Sequence, residues 1–192
     1  MRLDHRIIAD WVSEGSSVLD LGCGDGELLS ILVEEKKVHA QGTEIDEQAI
    51  YKCVAKGLSV YHEDIDVGLT GHPDQSFDFV ILSESLQQAK RPDYVLGEAL
   101  RVGKKLVVSF PNFCNRSVRF QILLRGRVPV TPSLPFQWYD SPNLHFLSIL
   151  DFIDYCKSKS IKIKSSAYVS GSRRVRILPN FFADTGIFLL IK

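Results

Sequence analysis

The sequence predicts an α/β fold: a mostly parallel sheet carrying helices on both faces. Two observations lead there. Helix-period and strand-period segments alternate along the first two thirds of the chain, the pattern that builds parallel sheets through crossover helices. The first strand also runs directly into a glycine-rich turn and a leucine-rich helix, Val18-Leu-Asp-Leu-Gly-Cys-Gly-Asp-Gly-Glu-Leu-Leu29. At 192 residues one domain is expected, covering residues 1–192. Within it, a helical and proline-aromatic insertion is placed at about 113–146.

The elements follow in order. Ile7, Ile8, Trp11 and Val12 share a helical face, and Gly15 is a plausible stop. Ser17–Leu21 is a short apolar strand. Leu28, Leu29, Leu32 and Val33 recur at helical spacing. A strand over His39–Thr43 ends at Glu44, and Glu47–Lys56 is a helix stopped by Gly57. Ser59–Tyr61 and Phe77–Leu82 are strands, the second entered by a turn at Asp74–Ser76. Pro92 opens a helix to Leu100, and Lys105–Phe110 is a strand closed by Pro111. Asn115–Arg125 is a helix with a broad apolar face and arginines at its edges. Val128–Phe146 has no period. Leu150–Lys157 is a helix. Ile161–Tyr168 and Ile187–Ile191 are strands, joined by a loop with Arg173, Arg174 and Arg176.

Composition excludes several function classes. The hydrophobic share is 45% and the charged share 24%, ordinary for a soluble globule. Lys+Arg and Asp+Glu both number 23, which leaves no basic excess to grip nucleic acid. No apolar run approaches the about 20 residues that a membrane span needs. The N-terminal MRLDHRIIADW reads as an amphipathic helix rather than a signal peptide. Cys23, Cys53, Cys114 and Cys156 form no C-x-x-C pair and are expected to be reduced, buried apolar residues of a cytoplasmic protein. No metal-ligand set is predicted.

Gly22, Gly24 and Gly26 spell G-x-G-x-G. Such a loop lets a ligand approach the backbone closely, although tight strand-to-helix turns also use glycine for structure alone. Its charges narrow the ligand. Asp20 ends the strand and Asp25 lies in the loop. A pyrophosphate here would meet two carboxylates, and one like-charge pair at about 4 Å costs about 4 kcal/mol at an effective dielectric near 20. The dinucleotide fingerprint also requires its third glycine where this chain has Glu27. S-adenosylmethionine, with its sulfonium and ammonium groups and no phosphate, suits the loop better.

Glu44, about 20 residues beyond the loop, is placed to accept from both ribose hydroxyls; a solvated turn carboxylate is the alternative. Asp64 is placed to accept from the adenine amino group, with Ile45 and Ile65 sandwiching the ring; capping a turn is the alternative for Asp64. The predicted cofactor set is therefore Asp20, Gly22, Cys23, Gly24, Gly26, Glu44, Ile45, Asp64, Ile65 and Ser83, for S-adenosylmethionine or S-adenosylhomocysteine.

Over roughly Ser17–Pro111 this constellation resembles the class I methyltransferases. Across nearly the whole chain, the segments VLDLGCGDGELL, TEID, PDQSFDFVILSESLQ, RPDYVL, LRVGKKLVVSFPNF, GRVPVTPSLPFQWYDSPNLHF and RRVRILPNFF resemble the MetW family of bacterial methionine-biosynthesis proteins. The resemblance implies a Rossmann-like class I methyltransferase fold with an antiparallel C-terminal strand. It also implies partnership with homoserine O-acyltransferase, the enzyme that activates homoserine. The chain itself lacks the G-x-S-x-G nucleophile elbow of such an acyltransferase, so it would assist one.

The sequence leaves open whether the protein transfers methyl groups. In-line positioning alone supplies much of that acceleration, so a bare site is compatible with catalysis. The fourth strand ends in Leu82-Ser83-Glu84-Ser85 rather than the motif of amino-directed methyltransferases. His145 is the best-placed candidate base, with a packing or capping role as its alternative. Phe136, Trp138 and Tyr139 line an acceptor pocket, anchor a partner, or fill the core under a long loop. Arg116, Arg119, Arg125, Arg127, Arg173, Arg174 and Arg176 face an acidic partner or solvent. Homo-oligomerisation is not legible.

Overall fold

Near-continuous apolar strands need cover on both faces, and this chain provides it with helices. In the computed structural model, which describes residues 2–192, eight strands form one sheet in the order β3-β2-β1-β4-β5-β8-β6-β7. The strands are β1 Ser17–Leu21, β2 His39–Glu44, β3 Val60–His62, β4 Phe79–Ser83, β5 Leu106–Pro111, β6 Lys162–Ser170, β7 Arg173–Arg174 and β8 Thr185–Ile191. The first five are mutually parallel. β8 runs antiparallel to β5 and to β6, as expected of the C-terminal strand. The helices are α1 Leu3–Trp11, α2 Glu27–Lys36, α3 Glu47–Ala55, α4 Pro92–Val102, α5 Arg116–Arg125, α6 Ile149–Ser158 and α7 Pro179–Phe182.

Strand alternation sorts the core into two layers. Val80, Leu82, Leu106, Val108, Phe110 and Phe188 point to the side covered by α4 and α6. Phe79, Ile81, Val107, Ile187 and Leu189 point to the side covered by α1 and α2. Phe110, Phe152 and Phe188 pack ring on ring, with centroids 4.8–5.7 Å apart, and lock the antiparallel β5–β8 junction to α6. Helix starts are chemically specified. Asp46 caps α3 by accepting from the Gln48 amide at 3.0 Å, and Asn115 caps α5 through the Val118 amide at 3.1 Å. Ser148 and Asp151 form a reciprocal capping box at α6.

The structure departs from the sequence reading at several element ends and adds the short α7. Phe77 makes only an isolated bridge with Gly103, so β4 begins two residues later than expected. Arg173–Arg174 is not simply loop but a short strand returning on β6. The stretch between α5 and α6 is irregular, as its lack of period suggested, with one bridge between Thr131 and Leu134. Among the described residues no helix is long and apolar enough to cross a membrane.

Candidate functional site

The chain leaves β1 for β2 and β3 on one side, then returns to place β4 on the other. A sheet that reverses order in this way opens a crevice at the carboxyl ends of its central strands. A cavity of about 480 Å³ lies there, within the range of small-molecule sites. Of the ten residues predicted to hold a cofactor, nine line it: Asp20, Gly22, Cys23, Gly24, Glu44, Ile45, Asp64, Ile65 and Ser83.

Gly26 is the exception. It adopts a left-handed conformation (φ +76°) at the start of α2, and a Cβ there would stand 2.5 Å from Leu58 Cδ1 and 2.9 Å from Cys53 Sγ. Its glycine serves the packing of the loop against α3. Gly24 differs: φ is +56°, and a Cβ there would meet nothing within 4 Å. It borders open space in the cavity.

The loop is held from beneath by β2. The amides of Gly22 and Cys23 both donate to the Thr43 carbonyl, at 2.9 and 3.0 Å. Glu44 then clasps it: one carboxylate oxygen accepts from the Gly24 amide at 2.8 Å, and the other accepts from the amides of Ile45 and Asp46 at 2.8 and 3.0 Å. Asp64 accepts from the Asp66 amide at 2.9 Å, the turn-capping role its residue type allows. Both acids keep lone pairs for a ligand.

Asp20 is 2% exposed, and its Oδ1 has no hydrogen-bond partner among the described residues. Burial, with a smaller contribution from the nearby Glu44 charge, pushes its carboxyl up to about 7. Burial also lowers the proton affinity of His5, whose Nδ1 lies 3.8 Å from Glu27. The wall is strongly acidic overall: eight carboxylates face one guanidinium, Arg2, and one ammonium, Lys90. Such a field repels phosphate and attracts cations.

Arg2 and Glu84 also line the candidate site, and the sequence does not single them out. Arg2 reaches from the N-terminal segment to Glu84 at 2.7 Å and Asp4 at 2.6 Å. Glu84 sits at φ +56°, strained for a side chain of its kind, and its carbonyl accepts from Gln87 and Gln88 side chains at 2.6 and 3.1 Å. The positive φ of Glu84 has no one-dimensional signature, and nothing local links residue 2 to residue 84.

Arg2, Glu84 and Gln88 also line a second cavity of about 700 Å³, which extends to Pro132, Phe136 and Asn143. Phe136 is the only member of the predicted aromatic trio to line it. Trp138 and Tyr139 are 75% and 71% exposed, so they are not core under a loop. His145 lies elsewhere, beside Pro92, Leu96 and Tyr155; its backbone amide donates to the Gln87 carbonyl at 3.0 Å, and its side chain lines neither the first cavity nor the second. Cys53 and Cys156 are buried as expected, whereas Cys23 and Cys114 are only half-buried. Among the described residues no three His, Cys, Asp or Glu side chains are grouped to hold a metal.

Solved structures share this architecture. A SAM-dependent methyltransferase from Archaeoglobus fulgidus superposes with TM-score 0.74 at 17% identity, covering 97% of this chain and 90% of that one. A SAM-dependent methyltransferase from Aquifex aeolicus gives 0.65 at 16%, covering 100% and 90%. The [4+2]-cyclase SpnF gives 0.70 at 16%, covering 98% and 80%, so the architecture by itself does not decide the chemistry. In sequence, the chain is 32% identical over 200 residues to the bifunctional methionine biosynthesis protein MetXA/MetW of Rhodopirellula baltica. The match takes in 97% of this chain but 32% of that protein, so the chain spans about a third of the relative's length. The model of the methionine biosynthesis protein MetW family matches residues 2–190, C-terminal strands included; the chain belongs to the MetW family.

Proposed function

We propose that the protein binds S-adenosylmethionine or S-adenosylhomocysteine in the acidic cavity and acts as an accessory subunit of homoserine O-acyltransferase in methionine biosynthesis. The observation that carries the role is the Rhodopirellula baltica relative, in which a MetW part is joined to MetXA in one bifunctional chain. Covalent fusion fixes two bodies at high effective concentration, and separate chains reach the same proximity by docking.

The cavity supports the ligand. Gly24 lets the nucleoside approach the backbone. Glu44, already clasping the loop, accepts from the ribose hydroxyls, and Asp64 with Ile45 and Ile65 receives the adenine. The unpartnered Asp20 oxygen and the acidic wall favour the ligand's cationic groups. When bound, S-adenosylmethionine would supply an electrophilic methyl group, and the protein's part is to position it and exclude water.

Calorimetric titration with S-adenosylhomocysteine, with and without the purified acyltransferase, tests the reading. Binding, co-purification and a changed acylation rate are expected. No complex and no rate change at micromolar concentrations would overturn the accessory role. Unequal ligand affinity with and without the acyltransferase would make the ligand a regulator.

A second reading is favoured by the 700 Å³ cavity adjoining the first: methyl transfer to a small acceptor held there. Conversion of S-adenosylmethionine to S-adenosylhomocysteine on adding a cell extract would support it.

A further inference from the structure

α5 is held along one side and otherwise uncovered. Of its ten residues only Val118 is buried, while Phe120, Leu123 and Leu124 are 51%, 76% and 77% exposed. Trp138 and Tyr139 stand out from the segment that follows, packed edge to face at 5.7 Å. This surface is built rather than loose. The Gln121 side chain exchanges hydrogen bonds with the Val130 backbone at 3.2 and 3.3 Å. Phe120 packs on Phe181 of α7, with Arg119 over the same ring.

At about 200 Å² for a large side chain, Phe120, Leu123 and Leu124 expose on the order of 400 Å² on α5, and Trp138 with Tyr139 on the order of 300 Å² on the segment that follows. A monomer's largest apolar patch is about 300–600 Å², whereas a stable interface takes about 800 Å² from each side. The charge is mostly of one sign: residues 113–146 contain Arg116, Arg119, Arg125 and Arg127 against one carboxylate, Asp140. A two-fold contact would set this basic surface against itself, which argues against a second copy. It fits a partner whose matching surface is apolar with acidic groups around it.

The geometry points to the α5 face, with Trp138 and Tyr139, as the docking surface for the proposed homoserine O-acyltransferase partner. The inference rests on that reading: the occupant is the body that makes up the rest of the fused relative, of which this chain matches 32%. The face reaches the second cavity through Phe136, and that cavity shares Arg2 and Glu84 with the first. A partner docked here therefore stands beside the route to the proposed ligand.

The test titrates the full chain against purified homoserine O-acyltransferase by calorimetry, with light scattering for stoichiometry. Trp138→Ala should weaken binding about 30-fold, and Leu123→Glu with Leu124→Glu at least about 100-fold, as expected for central anchors of an interface. Tyr51→Glu introduces an equivalent apolar-to-acid change on exposed α3, toward the other end of the sheet, and should leave affinity within about 2-fold. Each variant should keep wild-type affinity for S-adenosylhomocysteine, which shows that it is folded. If wild type binds and the face variants bind equally well, the docking assignment falls while the accessory role stands. If wild type does not bind, both fall. If wild type self-associates through this face and Leu123→Glu with Leu124→Glu restores the monomer, the occupant is a second copy and the assignment falls.

Discussion

Gly24 and Gly26 look interchangeable in the motif, and alanine at each should separate them. Both have positive φ, so alanine pays the left-handed penalty of about 1–2 kcal/mol at either position. At Gly26 the new methyl group also meets Leu58 Cδ1 at 2.5 Å and the buried Cys53 Sγ at 2.9 Å. The Leu58 tip is able to swing aside, but Cys53 is fully enclosed, and such overpacking adds about 1–3 kcal/mol. Gly26→Ala should therefore cost about 2–5 kcal/mol, and Gly24→Ala no more than about 2 kcal/mol. For a chain of this size each kcal/mol lowers Tm by about 2–4 °C, so Gly26→Ala should melt several degrees below Gly24→Ala.

Ligand affinity should reverse the order. The methyl group of Gly24→Ala enters open cavity where the nucleoside is proposed to lie, and S-adenosylhomocysteine should bind at least about 10-fold more weakly. Folded Gly26→Ala should bind within a few-fold of wild type. Thermal melts and calorimetry on both variants suffice. Equal melting losses would refute the packing account of Gly26. Wild-type affinity in Gly24→Ala would refute the proposed position of the ligand.

Four further outcomes are expected. The Asp20 carboxyl, pushed up to about 7, keeps its proton in the folded state over a range where the unfolded chain has lost it. Stability should therefore fall as pH rises from about 4 to about 7, by an amount on the order of 4 kcal/mol. Asp20→Asn should flatten that slope in melts across the range, and an unchanged slope would contradict it. By the same linkage a cationic ligand should expel the proton, so calorimetry near pH 6 in buffers of different ionisation heat should show proton release in wild type and none in Asp20→Asn. Glu44→Ala leaves the Gly24, Ile45 and Asp46 amides without their acceptor; it should cost about 1–2 kcal/mol in denaturant titration, since water replaces the exposed bonds, and at least about 10-fold in S-adenosylhomocysteine affinity. Ser148→Ala removes one half of the α6 capping box and should cost about 1 kcal/mol, with no change in ligand affinity by calorimetry.

Particular residues show how much was legible in one dimension. The register of apolar residues located β1, β2, β5 and the helices between them, because side-chain period reports directly on burial. The cap residues Asp46, Asn115 and Ser148 mark helix starts through bonds that span two or three residues. Glu44 and Asp64 line one cavity because strand ends in a parallel sheet converge on one crevice, so their order along the chain already implies proximity. Gly26 was grouped with the ligand residues because spacing alone cannot distinguish a glycine that faces a cavity from one that faces Cys53. His145 is a candidate by its chemistry alone, and the path of the irregular segment seats it beside Pro92, Leu96 and Tyr155 instead.

The sequence by itself determined the architecture, the glycine loop and the sign of charge around it, because these follow from period, backbone freedom and residue type within short windows. Only the tertiary structure decided that Arg2 bridges to Glu84 across 82 positions, that Asp20 has an oxygen without a partner, and that α5, Trp138 and Tyr139 lie uncovered. Burial and ion pairing between distant segments depend on which surfaces the packed chain brings together, and no local pattern encodes that.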